Sequence, residues 1–499
     1  MLTNKIDPSE DDGGSDANQY LAPIYGSREV GEPIPRFRMP DSSSSPRLIA
    51  QLIKDELNLD GNQSLNLATF VTTWMEPEAE ELMAQSLGKN FVDADEYPQT
   101  IAIADRCVNM IADLFNAPNS GQALGTATVG SSEAIHLAGL ALKWRWRNSL
   151  GEGAGVTSHR VPNIVMGANV QVCWEKFARY FDVTPRYVPM ASDRYVIGVK
   201  EAIDLVDEDT IGVVGILGST YTGEYEPIEE LANALDDLQA TNGIDVPIHV
   251  DAASGGFVAP FLTPNLKWDF RLPRVHSINT SGHKYGLVYP GVGWVVWRDR
   301  QYLPDDLIFH VNYLGGDHPT FNLNFSRGSS QIIAQYYNFL RLGRRGYTQV
   351  MVALDSTARW ITQRIEEIGL FKVLSAEETL PVVCISLVDT SRYSVFDISS
   401  SLRERGWIVP AYTLAPNASE IAVLRIVVRE GLGMDLASNL IDDLKSVIDH
   451  LIRGHKPAPR VNHRHRSLVP KGAKATKVTS GNHEEIAMQK QKDKPQGIC

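Results

Sequence analysis

Short apolar runs alternate with stretches of helical spacing through the middle of this 499-residue chain, and that alternation restricts the fold more than any other feature. It is the signature of a sheet built from βα units, because a strand buried on both faces needs helices to cover it. Strands are predicted at 163–167, 211–217, 247–251, 275–278 and 293–297. Helical spacing runs from Glu133 toward Trp146. A second apolar stripe comprises Ile228, Leu231, Ala232, Leu235 and Leu238, with Pro227 expected in its first turn.

Beyond an amphipathic stretch at 347–368 the pattern changes to isolated strands at 382–387, 408–412 and 421–428, interleaved with helices. A last helix carries Leu440, Ile441, Leu444, Val447, Ile448 and Leu451 on one face, with Gly454 as its stop. The fold class read from this order is α/β: a large domain over 61–345 around a mainly parallel sheet, and a smaller α+β domain over 346–452. Residues 1–60 read as an arm used in oligomerisation, since their acidic Ser/Gly/Pro-rich start cannot form a core alone. Residues 453–499 read as a basic flexible tail.

Apolar residues make up 43% and charged residues 21%, enough to bury a large core. Sixty acidic against 47 basic residues give a net charge of −13, which argues against a body built to coat nucleic acid. The segment 452–499 alone carries +8, leaving −21 for the rest. Cys107, Cys173, Cys384 and Cys499 are widely spaced with no CxxC, so neither a disulfide framework nor a metal knuckle is expected. The acidic start has no apolar signal stretch and no uncharged apolar run reaches the ~18 residues of a membrane span. No prenylation signal is expected either, because Cys499 stands last. A cytoplasmic location is the expectation.

Three segments carry chemistry. In 277–286 a strand runs into small residues and delivers His283 and Lys284 at a turn, where a partly desolvated amine is a candidate Schiff-base nucleophile. In 247–256 an apolar strand ends at Asp251, followed by Ala253 and residues too small to block a flat ligand. A buried carboxylate needs a cationic partner, and a protonated pyridine nitrogen is one. In 125–133 glycines and the hydroxyls of Ser131 and Ser132 precede an apolar helix, an arrangement suited to a phosphate. Each piece alone has a plainer reading: a surface lysine, a turn-capping aspartate, an N-capping serine.

Taken in this order, phosphate cradle, strand-end acid and strand-end His-Lys make up what a pyridoxal phosphate enzyme needs. With the runs 65–70, 89–93, 130–133, 169–177, 249–256 and 281–284, the chain resembles the glutamate decarboxylases of bacteria and plants, within the fold type I, group II pyridoxal phosphate decarboxylases. The match spans about 33–452. The resemblance implies decarboxylation of L-glutamate to 4-aminobutyrate and carbon dioxide. It implies that Lys284 carries the cofactor as a Schiff base, that Asp251 pairs with the pyridinium nitrogen, and that Gln171 and Ala253 sandwich the ring. Ser131, Ser132 and His283 would bind phosphate, and Thr220 would lie beside the cofactor. Ser326 would reach the phosphate of a neighbouring subunit, making a homodimer the catalytic unit. Thr69, Phe70, Asn90 and Asp93 match the pocket for the side-chain carboxylate, and Arg425 matches a substrate-carboxylate arginine. Tyr313 falls where relatives carry a mobile loop that supplies a proton.

Two other readings stay open on the residues: the same chemistry on an aromatic amino acid or cysteine sulfinate, or a non-catalytic binding protein of this fold. Plant members bind calmodulin through a C-terminal tryptophan amid lysines. Here the last tryptophan is Trp407, and Ile486 and Met488 are the tail's apolar anchors, so the tail reads as solvated instead. His463, His465 and His483 raise the hypothesis that the tail gates activity with pH. Hexamer formation is left open.

Overall fold

The computed structural model describes residues 37–151, 160–312 and 318–454. Tyr313, the N-terminal residues 1–36 and the tail from 455 onward, with His463, His465 and His483, lie outside the described residues. The chain divides into a unit ending at Asn62 and a unit from Gln63 onward. Among the described residues the first contains one helix, Pro46–Leu57, which starts on a proline suited to a first turn and buries none of its residues.

The second unit holds both main sheets. Seven strands, β1 (Leu124–Thr128), β2 (Asn163–Gly167), β3 (Thr184–Val188), β4 (Thr210–Ile216), β5 (Ile248–Asp251), β6 (Val275–Thr280) and β7 (Gly293–Trp297), form the larger sheet in the order β1-β7-β6-β5-β4-β2-β3. β3, β2, β4, β5 and β6 run parallel, while β7 is antiparallel to both β6 and β1. Every residue of β2, β4, β5, β6 and β7 is buried, which explains their near-continuous apolar reading in the sequence.

The five predicted strands all form, with ends shifted by two residues at most. β1 and β3 were not foreseen, and both are edge strands of mixed composition. β1 contains Gly125, whose absent side chain lets the Val295 carbonyl approach: a Cβ there would lie 2.6 Å from that oxygen. β3 contains Pro185, which an edge tolerates.

After β8 (Phe309–Val311) and β9 (His318–Thr320), a two-stranded pair, comes the long helical element Ser330–Ile368, interrupted at Gly343 with φ 56°. The predicted helix at 347–368 is thus its second half. The smaller sheet, in the order β10-β11-β13-β12, consists of β10 (Phe371–Val373), β11 (Val382–Leu387), β12 (Ala411–Thr413) and β13 (Ala422–Val427), all antiparallel. The last helix, Met434–Ile452, buries all six predicted apolar residues and is followed by Gly454 at φ 80°. Pro227 is the N-cap of the helix Ile228–Asn242, one residue outside its expected first-turn place. No helix among the described residues is long and apolar enough to cross a membrane.

Candidate active site

The carboxyl ends of parallel strands converge on one edge of a sheet of this kind, which is where such folds bind ligands. β2 leads to Gln171, β4 to Thr220, β5 ends on Asp251, and β6 leads to His283 and Lys284. β1 ends at the same edge and leads to Gly130, Ser131 and Ser132.

Asp251 is 5% exposed and bonded on both oxygens. Trp174 Nε1 donates to Oδ2 at 2.8 Å, while Asn279 Nδ2 and the Ala253 amide donate to Oδ1 at 3.0 and 3.2 Å. The Asn279 amide is itself oriented. Its Oδ1 lies 2.8 Å from His249 Nε2, and His249 Nδ1 lies 2.8 Å from Ser277 Oγ. Asn279 Oδ1 can only accept, so Nε2 donates; burial pushes His249 down to about 4, which keeps the imidazole neutral and leaves Nδ1 to accept from Ser277. The ladder follows from strand alternation: His249 and Asp251 share one face of β5, and their register partners on β6 are Ser277 and Asn279.

Lys284 is part-buried, and its Nζ donates to Ser254 Oγ at 3.1 Å. Desolvation holds its amine below the usual lysine range; Asp251 and Cys173 oppose that shift, and the Arg425 guanidinium adds to it. Phe70 lies 5.5 Å from the amine, measured to the ring centroid. Thr72 fixes the lysine's backbone, its amide bonding the His283 carbonyl at 2.9 Å and its Oγ1 the Lys284 carbonyl at 2.7 Å. The readings of Lys284 as a surface residue and of Asp251 as a simple turn cap do not describe these surroundings.

The expected phosphate-binding segment is the start of helix Ser131–Ser149, with Gly130 as the capping residue. Ser132 lies in the first turn and is exposed, so it is not the N-cap that the plainer reading offered. Ser131 Oγ is 2.7 Å from Ser281 Oγ. β7 closes against this turn because Gly293 has no side chain: a Cβ there would meet the Gly130 carbon at 2.5 Å and the Ser131 nitrogen at 2.7 Å. The His283 ring sits beside Gly130, held neutral by burial at about 4, with Lys284 pushing the same way.

Arg425, on β13 of the smaller sheet, is fully buried. It donates to the carbonyls of Thr220 and, at 2.6 Å, Ala68, and lies 4.9 Å from the Phe70 ring centroid. Among the described residues its Nε has no partner and no acidic side chain forms a salt bridge with it. Enclosed in this way, it is not a surface residue. A buried guanidinium without an acid is suited to receive a carboxylate.

The other expected residues divide into two groups. Gln171 is part-buried and spends its Oε1 on capping the helix Val172–Tyr180, accepting from the Cys173 amide at 2.7 Å. Thr69 accepts from the Val71 amide at 3.1 Å and lines a cavity of about 520 Å³ with Gln63, Asn66, Thr72, Thr73 and Tyr289; Lys284 is not part of that lining. Asn90, Asp93 and Ser326 stand apart from these, and among the described residues none bonds to Lys284, Asp251 or Arg425. Asn90 reaches Ser326 Oγ at 3.5 Å and accepts from the Arg327 amide at 3.2 Å, while the Asp93 amide donates to the Asn90 carbonyl.

Trp174, Asn279, His249, Ser254 and Thr72 were not singled out from the sequence. Alternation around Asp251 could have indicated His249, and the two-residue step from Ser277 could have indicated Asn279. Trp174 and Thr72 are long-range contacts with no local signal.

A strand-end lysine within electrostatic reach of a buried carboxylate that accepts three hydrogen bonds, close to a helix N-terminus open to phosphate, defines an enzyme of the pyridoxal phosphate class. The model of the pyridoxal-dependent decarboxylase conserved domain matches residues 43–388. A glutamate decarboxylase of Petunia hybrida is 54% identical over 439 residues, covering 88% of this chain and 87% of that protein. One from Aliivibrio fischeri is 48% identical over 436 residues, covering 87% and 93%. The solved glutamate decarboxylase of Lactobacillus brevis superposes with a TM-score of 0.83 at 47% identity, covering 87% of this chain and 99% of that one. The chain belongs to the pyridoxal-dependent decarboxylase family, on the branch of the plant and bacterial glutamate decarboxylases.

The residues present fit pyridoxal phosphate. They offer an amine of lowered basicity, a carboxylate fixed by three donors, and a cradle of free helix amides kept open by two facing glycines.

Proposed function

We infer that this chain catalyses the pyridoxal phosphate-dependent α-decarboxylation of L-glutamate to 4-aminobutyrate and carbon dioxide. The observation that carries this is the buried Arg425, without an acidic partner, beside the Phe70 ring that also faces the Lys284 amine. An acid-binding cation thereby stands next to the reactive amine.

Bound pyridoxal phosphate supplies a cationic ring that withdraws the electron pair left when the Cα–carboxylate bond breaks. The chain's residues supply the rest. Lys284 would hold the cofactor covalently and give way to the substrate amine. Asp251 would keep a proton on the ring nitrogen, its own charge fixed by Trp174, Asn279 and Ala253. Ser131, Ser132 and His283 would hold the phosphate, and Gln171 and Ala253 would flank the ring, with Thr220 beside it. Arg425 would bind a substrate carboxylate, with Thr69, Phe70, Asn90 and Asp93 completing the pocket. Tyr313 would deliver the proton that replaces carbon dioxide at Cα.

Two chains would form the catalytic unit, Ser326 of each reaching the phosphate held by the other. Support comes from the surface around Ser326, where Leu323 is 47% and Phe325 41% exposed, an apolar face suited to a partner. Residues 1–60 would serve as the arm of this assembly, 61–345 and 346–452 as its two domains, and 453–499 as a solvated tail without a calmodulin site. The enzyme would work in the cytosol.

One experiment tests the activity. Purified protein with pyridoxal phosphate is given a panel of amino acids, and carbon dioxide and amine products are measured in the same tube. Release of 4-aminobutyrate from L-glutamate, with at most traces from aromatic amino acids or cysteine sulfinate, is the expected result. A preparation that binds no cofactor, or prefers another amino acid, would overturn the assignment.

A further inference from the structure

Glu226 closes the turn that follows β4. Its amide donates to the Ile216 carbonyl at 3.0 Å, and the bridge between Leu217 and Tyr225 lies just inside that closure. The side chain is 4% exposed. Oε2 accepts from the Ile216 amide at 2.7 Å, and Oε1 accepts from Asn169 Nδ2 at 2.9 Å and the Ile197 amide at 3.1 Å. No lysine or arginine among the described residues forms a salt bridge with it.

A carboxyl buried without a cation is an expensive way to fill a core, and an apolar side chain of similar size would be cheaper. What it does that an apolar group cannot is accept N–H bonds from three separate segments at once. Two of those segments lead into the site. Asn169 stands two residues before Gln171 and five before Trp174, the indole donor to Asp251. The turn that Glu226 closes contains Thr220, whose carbonyl accepts from Arg425. The backbone makes room for the arrangement at Gly167, where a Cβ would lie 2.1 Å from Asn169 Oδ1 and 3.0 Å from Glu226 Oε1. Asn169 is 1% exposed, and its Oδ1 has no partner among the described residues. Its amide is therefore placed for one bond, the one to Glu226.

We propose that Glu226 is a positioning residue for the decarboxylation, a buried tether that holds the Asn169–Gln171 loop and the Ser219–Thr220 turn at the separation their side chains need around the ring and the substrate. This rests on the functional reading above. Burial pushes the Glu226 carboxyl up to about 7, with Asp251 adding to that shift, and the three N–H donors pull it back. The tether and its donors thus stabilise one another.

The test uses the holoenzyme and the variants Glu226→Gln, Glu226→Ala, Asn169→Ala and Glu226→Gln/Asn169→Ala. Readouts are kcat and KM, the circular dichroism of the cofactor band per bound cofactor, and Tm. In Glu226→Gln an NH2 group must face an N–H donor. With a displaced wall and turn, kcat should fall about tenfold or more, with a cofactor dichroism band reduced by at least half. Asn169→Ala should shift both in the same direction, and the double variant should be no worse than the poorer single one by more than about twofold, as expected for residues acting through one contact. A lower Tm with kcat within twofold of wild type and an unchanged dichroism band would reduce Glu226 to a packing residue and overturn the proposal, as would additive effects. If Glu226→Ala does not fold, the Gln variant decides. Should the wild type prefer a different amino acid, the functional reading falls, while the same variants assayed on that amino acid still decide the tether.

Discussion

Trp174 Nε1 donates to Asp251 Oδ2 across 2.8 Å, joining the first turn of the helix after β2 to the carboxyl end of β5. This bond holds the carboxylate on which the ring nitrogen's proton would depend, and it comes from a residue 77 positions away in the chain. A hydrogen bond to a buried carboxylate contributes about 1.5 to 3 kcal/mol. Trp174→Phe keeps the packing against Phe177 and His249 and removes the donor. Pyridoxal phosphate should bind about tenfold or more weakly, as read by titration of the visible band; an unchanged affinity would make the indole a packing group only.

Lys284→Ala should show no turnover and no visible imine band, while still binding cofactor through its phosphate. Asp251→Asn should turn over about a hundredfold more slowly, the scale of losing a preorganised electrostatic partner. It also places an NH2 group against the Trp174 or Asn279 donors, so its cofactor affinity should fall too. Near-normal rates in Asp251→Asn would mean that ring protonation does not rest on this carboxylate.

Arg425→Lys keeps the charge and loses the planar fork that bonds Thr220 and Ala68. The expected outcome is a KM for L-glutamate raised about tenfold or more with cofactor binding close to wild type. Steady-state kinetics with a parallel cofactor titration separate the two. A KM within twofold of wild type would remove Arg425 from the substrate pocket.

Gly293→Ala puts a methyl group within 2.7 Å of the Ser131 nitrogen, at the mouth of the anion cradle. Either β7 or the helix start must shift. Affinity for pyridoxal phosphate should drop about tenfold, whereas affinity for pyridoxal, which lacks the phosphate, should change little. Equal losses for both ligands would count against a phosphate site here.

His276 is pushed down to about 2, first by burial and then by Arg145, Arg274 and Arg298 around it. The unfolded chain takes up its proton near 6.5, so between that pH and about 2 the unfolded state binds more protons than the folded one. The stability this group contributes is complete above 6.5 and is lost as pH falls. Urea midpoints at pH 7.5, 6.0 and 5.0 should decline in the wild type and decline less steeply in His276→Gln. An identical slope in both proteins would show that the imidazole is protonated in the fold.

Much of the large sheet was legible because burial on both faces leaves a sequence signal that needs no partner to be read: the runs at 163–167 and 293–297 are the strands themselves. β1 was not legible. Leu-Gly-Thr-Ala-Thr becomes a strand through pairing with β7, a relation between residues about 170 positions apart. The helix boundaries at Ser131 and Pro227 moved for a similar reason, since the turn preceding each is fixed by its neighbours in space.

In the site, the residues that must be of one chemical type were readable by themselves: an amine at Lys284, an acid at Asp251, hydroxyls at Ser131 and Ser132. Those that hold them were not. Trp174, Asn279 and Thr72 work through single bonds to distant atoms, and no local pattern specifies a distant atom.

The sequence alone determined that strands would end near a lysine and an acid and that glycines and hydroxyls would open a helix, because side-chain chemistry and burial are properties of local sequence. Which strand ends stand side by side, which oxygen of Asp251 receives which donor, and that Arg425 from the smaller sheet is enclosed without an acid were decided by the tertiary structure. Those are distances, and a chain acquires them when its sheets close on one another.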